Sequence, residues 1–557
     1  MPLSVVAIAP ALIALGYVAV NGVSVPYWDE WDESVRQLLM FKRGALRISG
    51  LFGQHNEHRI PVPRMVMLLL DSWTGFDTRA EMLVSWLALA GIFALVSREL
   101  VRNSADRLRA AAAIAPVGWV IFSLRQSENL LWGFQIAVTI SVLGVVGAIC
   151  LLDSRQVTSS RVASAAACAF VASFSFFSGL LVWPVGAIQL LCARGGRRRL
   201  HVFLWCAFAL IAFVLYFADY HKPAHHPSLT AFLLKPETAI AYAALSVGQS
   251  MATDVNGALG FGVFLLAGQL AALAHLLCGP RHRAISPIGS SLMLFALATT
   301  GSLVVGRSPM GVEQALASRY ATITGLGIVG LYLFCLECAR ARRPGSVAAV
   351  GAVIALIGVG TVATLRAGFR EGAAFAAVRR EMAYILRTHE LQNDATLGKL
   401  YPVPANIRAN VEELQARRWS VFASQYEPPS RLARLPTTTA YAIDRVNERA
   451  LSADRIVEVE ASSTVRIAGW AVDTKAGRPA AEVWVNVDDR ELPALYGGDR
   501  PDVARALKQP ASRHSGFEAI FSAAALGVGR HFVSLRFISH DRSGYYSSGA
   551  PFVLVVR

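Results

Sequence analysis

The sequence predicts a polytopic α-helical membrane protein of about eleven transmembrane helices, followed by a C-terminal all-β sandwich domain. Two observations predict the membrane part. Of the 557 residues, 54% are hydrophobic and only 16% are charged, and apolar runs that can cross a hydrocarbon core of roughly 30 Å recur along the first two thirds of the chain. The third observation is a change of the hydrophobic pattern to a period of two beyond about Ile456, which is typical of strands.

The apolar runs assign residues 1–365 to a transmembrane domain. Six of the clearest are Leu3 to Val20, Met82 to Val96, Leu130 to Leu152, Gly257 to Leu277, Ile288 to Val305 and Val347 to Leu365. No Lys or Arg precedes the first run, and the chain re-enters the membrane many times afterwards. This predicts a retained first helix rather than a cleaved signal peptide.

The net charge of +15 lies largely in short loops between apolar runs, so no nucleic-acid partner is predicted. Arginines cluster in every second loop, as the positive-inside rule requires of the cytoplasmic side. These clusters are Arg102, Arg107 and Arg109; Arg155 and Arg161; Arg194 and Arg197 to Arg199; Arg281 and Arg283; and Arg340, Arg342 and Arg343. With eleven spans, we expect a multi-pass protein of a bacterial inner membrane, with a cytoplasmic N-terminus and a periplasmic C-terminal domain.

Two soluble regions are predicted beyond the last span. Residues 366–452 form an extracytoplasmic helical connector, with helices from Arg370 to His389 and from about Ala405 to Phe422 before a Pro-rich linker. Residues 453–557 form the β-sandwich. Its predicted strands are Val457 to Val459, Val465 to Val472, Val483 to Val487, Phe517 to Phe521, Phe532 to Phe537 and Phe552 to Val556.

An acidic and aromatic segment follows the first span, in the long first loop (residues 21–80). Its core is Trp28-Asp29-Glu30-Trp31. Aromatic rings stack on sugars and can adjust carboxylate pKa values, as a general base requires. We therefore predict catalytic roles for Asp29 and Glu30 and substrate contacts for the two tryptophans. The alternative is an aromatic belt at the membrane interface with solvated acids.

A second polar segment of the same loop, Gln54 to Arg59, brings together His55, Glu57, His58 and Arg59 as candidate substrate-binding residues. A metal site built from its histidines and Glu57 is an alternative. The segment has an HxxH spacing but lacks the HExxH arrangement of zinc enzymes. The sequence therefore implies no firm cofactor.

The loop before the last but one span ends in Ala317-Ser318-Arg319-Tyr320. This loop delivers two arginines, Arg307 and Arg319, to the outer interface, which opposes the positive-inside bias. Arg319 is therefore a candidate clamp for a phosphate group, because a guanidinium binds phosphate through two parallel hydrogen bonds. The alternative is an interfacial anchor.

With these motifs, and with QSENLLWGFQ (residues 126–135), residues 1–365 resemble the GT-C superfamily of integral-membrane glycosyltransferases. The resemblance implies a polyprenyl-phosphate sugar donor, a catalytic base in the first outer loop and basic residues of later loops on the lipid phosphate. Asp29 and Glu30 match the acidic motif by position, and Arg319 is a candidate for the phosphate. The segment from His55 to Arg59 has no counterpart there.

The C-terminal segments Ala468 to Asp473, Asp499 to Val503 and Ser515 to Phe517 resemble small β-sandwich modules of bacterial glycan-handling enzymes. That resemblance implies a carbohydrate-binding module or a bracing domain.

The expected function is inverting transfer of a hexose or pentose from a polyprenyl-phosphate donor to an extracytoplasmic glycan or lipid-linked acceptor, with membrane lipids as the other partner. One alternative is an O-antigen ligase or polymerase-type enzyme, for which a large loop between late spans is typical; here the longest loop between spans is the first. Another is a transporter or flippase of lipid-linked sugars, which would need polar residues through the bilayer midplane.

Overall fold

The structure is a computed structural model that describes residues 2–102, 104, 106–153, 157–193, 197–224, 226–278, 287–423, 428–436, 439–488 and 490–557. Of the predicted basic loops, Arg155, Arg194, Arg281 and Arg283 lie outside the described residues. The chain divides into two compact units. Unit 1 comprises Met1–Val23 and Met40–Ala376, and unit 2 comprises Ser24–Leu39 and Ala377–Arg557.

The helices dominate the described chain up to the C-terminal domain. They are α1 Pro2–Asn21, α2 Arg36–Lys42, α3 Ile48–Leu51, α4 Pro61–Thr74, α5 Thr78–Arg102, α6 Arg107–Ile121, α7 Ser127–Leu131, α8 Ile136–Leu152, α9 Ser159–Ser173, α10 Val182–Cys192, α11 Arg198–Phe217, α12 Pro236–Gly248, α13 Val255–Cys278, α14 Pro287–Arg307, α15 Ala321–Arg340, α16 Ser346–Arg387, α17 Asp394–Leu397, α18 Pro404–Ala416 and α19 Pro501–Ala506.

Eight helical stretches of the described residues are long and apolar enough to cross a membrane. They are Thr78–Arg102, Leu108–Leu131, Gly133–Leu152, Arg198–Phe217, Val255–Leu276, Ile288–Met310, Ser318–Arg340 and Ser346–Arg387. Val5–Asn21 and Phe177–Cys192 are shorter apolar helices. The predicted polytopic helical membrane domain is confirmed, and the number of about eleven crossings stays a prediction.

Small residues allow the helices of unit 1 to approach closely. A Cβ on Gly248 of α12 would lie 1.8 Å from the carbonyl oxygen of Ala258 on α13, and one on Gly262 would lie 1.8 Å from that of Ala244. Only glycine fits at such crossings, where backbone packs on backbone. This contact fixes α12 against α13 and so positions the polar face of α12.

The basic loops of unit 1 meet at one end of the helices. Arg340, the last residue of α15, donates from Nη2 to Ser104 Oγ at 3.1 Å. Both residues belong to loops predicted to be cytoplasmic.

Strands β1 and β2 lie in unit 1, and strands β3 to β13 lie in unit 2. The strands are β1 Gln54–His55, β2 His58–Arg59, β3 Thr439–Val446, β4 Ile456–Val459, β5 Thr464–Asp473, β6 Arg478–Pro479, β7 Glu482–Val487, β8 Arg490–Pro493, β9 Leu495–Gly498, β10 Gly516–Ser522, β11 Gly529–Ile538, β12 Tyr545–Ser547 and β13 Phe552–Val556.

The strands of unit 2 form two sheets around a common apolar core. One sheet has the order β3-β5-β10-β9, with β6 on β5, and the other has the order β4-β13-β11-β7-β8, with β12 on β11. Val465, Phe521 and Phe537 are among the core residues that both sheets bury. The predicted β-sandwich is confirmed. It begins at Thr439, within the predicted connector, rather than at residue 453.

The helical part of unit 2 holds the sandwich through the backbone of one strand. Tyr384 Oη on α16 accepts from Ile520 N at 3.0 Å, and Gln392 Nε2 donates to Ile520 O at 2.8 Å. Both helical side chains are buried. The connector therefore pairs with the edge of β10 beyond the residues that β9 covers.

Candidate functional site

The polar segment Gln54 to Arg59 of unit 1 folds into a two-stranded hairpin. β1 pairs with β2 in antiparallel register, with His55 opposite His58. The turn residue Asn56 has a φ of 47°, in the left-handed region that asparagine tolerates well. The side-chain amide of Gln54 bonds both backbone groups of His221, as a neighbouring strand would. It donates to His221 O at 2.5 Å and accepts from His221 N at 3.0 Å. The hairpin is thus fixed to the segment after α11.

Arg59 ties the first loop to the end of α11. Its guanidinium donates to the carbonyl oxygens of Phe52 at 2.8 Å, of Tyr216 at 2.5 Å and of Ala218. The residue is 9% exposed. The hydroxyl of Tyr216 donates in turn to Glu57 O at 2.9 Å. This geometry gives Arg59 a structural position, with its donors directed to backbone oxygens.

Glu57 lies at the centre of a cluster of basic side chains, the Glu57 cluster, which consists of Glu57, His58, His226 and Arg307. Arg307 Nη2 at the end of α14 lies 2.5 Å from Glu57 Oε1. His58 Nε2 lies 3.6 Å and His226 Nε2 3.3 Å from the same carboxylate. Three separate loops therefore meet at one carboxylate.

The cluster keeps Glu57 ionised. Burial alone would raise the pKa of Glu57, but His58, Arg307 and His226 act more strongly together and lower it from 4.5 to about 2. A carboxylate with a lowered pKa stabilises the folded state above its unfolded pKa, and this contribution is lost as the pH falls from about 4.5 towards 2. Glu57 is thus an anion throughout the neutral range and acts as an acceptor of hydrogen bonds.

The histidines of the hairpin have packing partners. His58 Nδ1 accepts from Phe177 N at 3.1 Å, so the ring proton of neutral His58 is on Nε2, facing Glu57. Its ring also stacks on Phe176, with 4.2 Å between centroids. His55 lies edge-on to Phe134 at 5.3 Å. Since both nitrogens of His58 are engaged, the hairpin geometry does not favour the metal alternative, and within the described ranges no three His, Cys, Asp or Glu side chains are grouped as metal ligands.

A second arginine and carboxylate pair lies between α7 and the start of α15. Arg319 Nη1 donates to Glu128 Oε1 at 3.1 Å, and the backbone N–H of Arg319 donates to Glu128 Oε2 at 2.9 Å. Ser318 Oγ donates to the same oxygen at 3.0 Å. Asn129 fixes the loop through Arg319 O at 2.9 Å. We call Glu128, Ser318 and Arg319 the Glu128 cluster.

Tyr242 of α12 connects the two clusters electrostatically. Burial, and then Tyr320, raise the pKa of Tyr242, whereas the charges of Arg307 and Arg319 lower it. The residue is completely buried, and its hydroxyl has no hydrogen-bond partner among the described residues. The charges of two arginines, at the two ends of the segment between α14 and α15, therefore act on one buried hydroxyl.

A groove of about 750 Å³ opens beside the hairpin. Its walls include Phe52, Asn56 and Arg59 on one side and His221 and Lys222 on the other. Its lining combines polar side chains with the aromatic ring of Phe52.

The acidic and aromatic segment belongs to unit 2, where only one of its first two acids is accessible. Glu30 is 1% exposed, and its Oε2 accepts from Tyr27 N at 2.8 Å. Asp29 is half-buried. Burial, the hydrogen bond to Asp32, and the charges of Asp29 and Glu33 raise the pKa of Tyr401, so Asp29 lies near that phenol.

The remaining acids of this segment are held by neighbours. Asp32 accepts from the hydroxyl of Tyr401 and from Asn406 Nδ2 at 2.7 Å. Glu33 is buried and accepts from Gln37 Nε2 at 2.9 Å.

The two tryptophans differ in the same way. Trp31 is completely buried and donates to Pro26 O at 3.2 Å, so it belongs to the core of unit 2. Trp28 is 43% exposed and has a φ of 48°, held by its N–H bond to Leu400 O at 2.8 Å. Of the two tryptophans, only Trp28 is exposed.

We expect Glu57→Gln to lower the free energy of unfolding by about 1 to 3 kcal/mol, because Arg307 then keeps its half-buried charge without a carboxylate. The double variant Glu57→Gln/Arg307→Gln should recover part of this loss. Thermal unfolding of the purified protein measures both, and Glu99→Gln, which breaks the more exposed pair with Arg102, is the matched control with a smaller effect. Equal unfolding temperatures for Glu57→Gln and the parent would contradict the stabilising role.

The sequence did not indicate which of these residues pair. Arg307 lies 250 positions from Glu57, and Glu128 lies 191 positions from Arg319. A weak signal was available, since ionisable residues at the ends of apolar spans are uncommon and often functional.

The helical unit and its polar clusters define a membrane protein with two arginine–glutamate pairs at one end of its helices. No family model and no curated protein matches the sequence. Two similar solved structures are crystal structures of ArnT from Cupriavidus metallidurans. The one bound to undecaprenyl phosphate is 15% identical, with a TM-score of 0.40 over 74% of this chain and 88% of that chain. The apo one is 14% identical, with a TM-score of 0.33 over 70% of this chain and 80% of that chain.

Both likenesses have TM-scores below 0.5 and carry no argument about the activity. They concern the fold alone. We therefore base the functional proposal on the contacts of the chain's own residues.

Proposed function

We propose that this protein is a membrane glycosyltransferase that moves a sugar from a polyprenyl-phosphate donor to a glycan or lipid-linked acceptor. The observation that carries the proposal is that Arg307 and Arg319 each pair with one carboxylate and remain partly exposed. Guanidinium groups are donors suited to the oxygens of a phosphate monoester or diester.

The carboxylates of this site orient the arginines without saturating them. A guanidinium has five N–H donors, and each arginine contacts one carboxylate, Arg307 through Nη2 and Arg319 through Nη1. The side chains of Arg307 and Arg319 are 20% and 32% exposed. Each guanidinium can therefore donate to a phosphate while its carboxylate, Glu57 or Glu128, keeps it oriented.

In the proposed reaction, Asp29 removes the proton from an acceptor hydroxyl. The oxygen attacks the anomeric carbon of the donor, and the bond from that carbon to the phosphate oxygen breaks with inversion. Polyprenyl phosphate leaves with the electron pair and needs no proton, so one base suffices. Arg319, with Arg307, stabilises the charge on the leaving phosphate. Trp28 offers a ring surface for stacking on a sugar.

The charge pattern supports a periplasmic site in a bacterial inner membrane. Basic loops represented by Arg340 and Ser104 lie at one end of unit 1, and the positive-inside rule assigns that end to the cytoplasm. The helices α14 and α15 carry the chain from there to Arg307 and Arg319 at their opposite ends.

The direct test uses the purified protein in nanodiscs with undecaprenyl-phosphate hexoses and pentoses carrying radiolabelled sugars, and envelope glycan from a strain that lacks the gene. We expect label to pass from lipid to glycan with release of undecaprenyl phosphate, and the new linkage to have the opposite anomeric configuration by NMR. Label that crosses a liposome bilayer on an unchanged lipid would instead identify a transporter. Transfer only from a pyrophosphate-linked polymer would identify a ligase.

A further inference from the structure

The β-sandwich carries a groove of about 460 Å³ on the sheet that contains β3, β5, β10 and β9. Its lining comes from all four strands and includes Ala468, Gly498, Gly516 and Glu518. A volume of this size is within the range of small-ligand sites. The groove belongs to unit 2 alone, so its role is separate from the proposed donor site.

Small residues form the floor of the groove. Gly516 of β10 pairs with Gly498 of β9 on one side and with Trp470 of β5 on the other, and Glu518 pairs with Ala468. Residues two apart on a strand share a face, so Ala468 and Trp470 lie on the same side of the sheet. Three chain segments that are distant in sequence thus leave a depression between their side chains.

An aromatic ring borders this floor. Trp470 is half-buried, and its cross-strand neighbours are Gly516 and Ala442, which have no bulky side chains to cover the indole. Cross-strand neighbours determine how much of a side chain on a sheet is covered. Trp470 is thus the next residue on this face of β5 beyond the lining residue Ala468, and it lies opposite Gly516 of the floor.

Oppositely charged pairs form the walls. Arg500 Nη1 lies 2.5 Å from Asp444 Oδ2, Arg513 Nε lies 2.6 Å from Asp499 Oδ1, and Arg466 Nη1 lies 2.8 Å from Glu518 Oε1. A sugar diol can donate to a carboxylate and accept from the neighbouring guanidinium. With Arg445 in the lining and Asp502 also paired with Arg500, four guanidinium groups and four carboxylates balance here, which favours a neutral ligand over a polyanion.

We infer that this groove binds a neutral oligosaccharide, with Trp470 as the stacking surface and the Asp444–Arg500 pair as the hydrogen-bonding wall. Aromatic face, small-residue floor and paired planar polar groups are the chemistry that recognises sugar rings. The site would hold a glycan independently of any donor lipid.

The test measures binding of full-length protein in nanodiscs to immobilised dextran, mannan and galactan, with polygalacturonate as an anionic probe, by biolayer interferometry. We expect at least one neutral polysaccharide to bind. Gly498→Leu should weaken that binding at least about tenfold, because its side chain fills the groove. A Cβ at Gly498 meets only ordinary contacts of 3.5 Å or more, so Gly498→Ala keeps the fold and should weaken binding less.

Thr464→Leu adds similar bulk at an exposed position of β5 outside the groove and should bind like the parent. Asp444→Asn is a second variant that adds no bulk and should also weaken binding. Retention of parental binding by both Gly498→Leu and Asp444→Asn would overturn the inference. So would binding of polygalacturonate alone, or of none of the four probes. No donor or transfer enters the assay, so its result is distinct from that of the transfer experiment.

Discussion

Replacing Asp29 by Asn should lower the rate of sugar transfer by about 10²-fold to 10⁴-fold, the usual contribution of a general base. The amide keeps the size of the carboxylate but removes its basicity. Asp29 is half-buried, whereas Glu30 is 1% exposed and accepts from the N–H of Tyr27. Initial rates with saturating donor and acceptor measure the effect, and donor binding should stay near the parental value.

Glu30→Gln is the matched control for this experiment. An amide oxygen can still accept from Tyr27 N, so we expect a modest loss of stability and retention of most of the transfer rate. If Asp29→Asn transfers at the parental rate while Glu30→Gln is inactive, the base is Glu30. If both variants are active, the segment is an interfacial aromatic belt and the proposed mechanism is wrong.

The strands show what local sequence patterns can and cannot predict. All six predicted strands are present within a few residues, because their apolar side chains alternate and face a common core. The short strands β8 and β9 are among those that the sequence did not predict. Each has four residues and contains Pro493 or Gly497 and Gly498, which interrupt the strand signal, and pairing with longer strands stabilises them instead.

The helix boundaries near residue 365 have a different cause. The sequence predicts a span to Leu365 and a separate helix from Arg370, but α16 is continuous over 42 residues, Ser346–Arg387. The hydropathy of a helix changes where the helix leaves the membrane. Its backbone hydrogen bonds continue across that point, so one helix can contain both parts. Gly372 lies within this helix and does not end it. A Cβ there would lie 2.3 Å from the ring of Tyr17, so packing against Tyr17 requires glycine at this position.

The candidate site was predictable as a set of motifs but not as pairs. Polar residues in the predicted outer loops identified Glu57 and Arg319 from composition alone. Their partners Arg307 and Glu128 lie 250 and 191 positions away, and periodicity informs only about neighbours within a few turns. Long-range pairing depends on how the helices pack, which small residues such as Gly248 and Gly262 decide.

Arg319→Gln should weaken binding of the polyprenyl-phosphate donor by about 10-fold to 100-fold, the range expected for lost hydrogen bonds to a charged group. The rate of transfer from bound donor should fall as well, because the leaving phosphate loses a stabilising charge. The donor affinity and transfer rate of Arg319→Lys should lie between those of the parent and Arg319→Gln, since lysine keeps the charge but loses the planar guanidinium. Donor titration and single-turnover rates in nanodiscs measure the two effects separately.

Arg340→Gln is the matched control, because Arg340 is also a half-buried arginine paired with a glutamate, Glu337, at 2.6 Å, in a loop predicted to be cytoplasmic. It should leave donor binding and transfer unchanged. Glu128→Gln separates the remaining explanations. If Arg319 only holds Glu128 in place, the two Gln variants will lose donor affinity equally. If Arg319 binds the phosphate, Glu128→Gln will retain more affinity, since a carboxylate near the phosphate has been removed and the guanidinium remains. Equal losses would therefore refute the proposed role of Arg319.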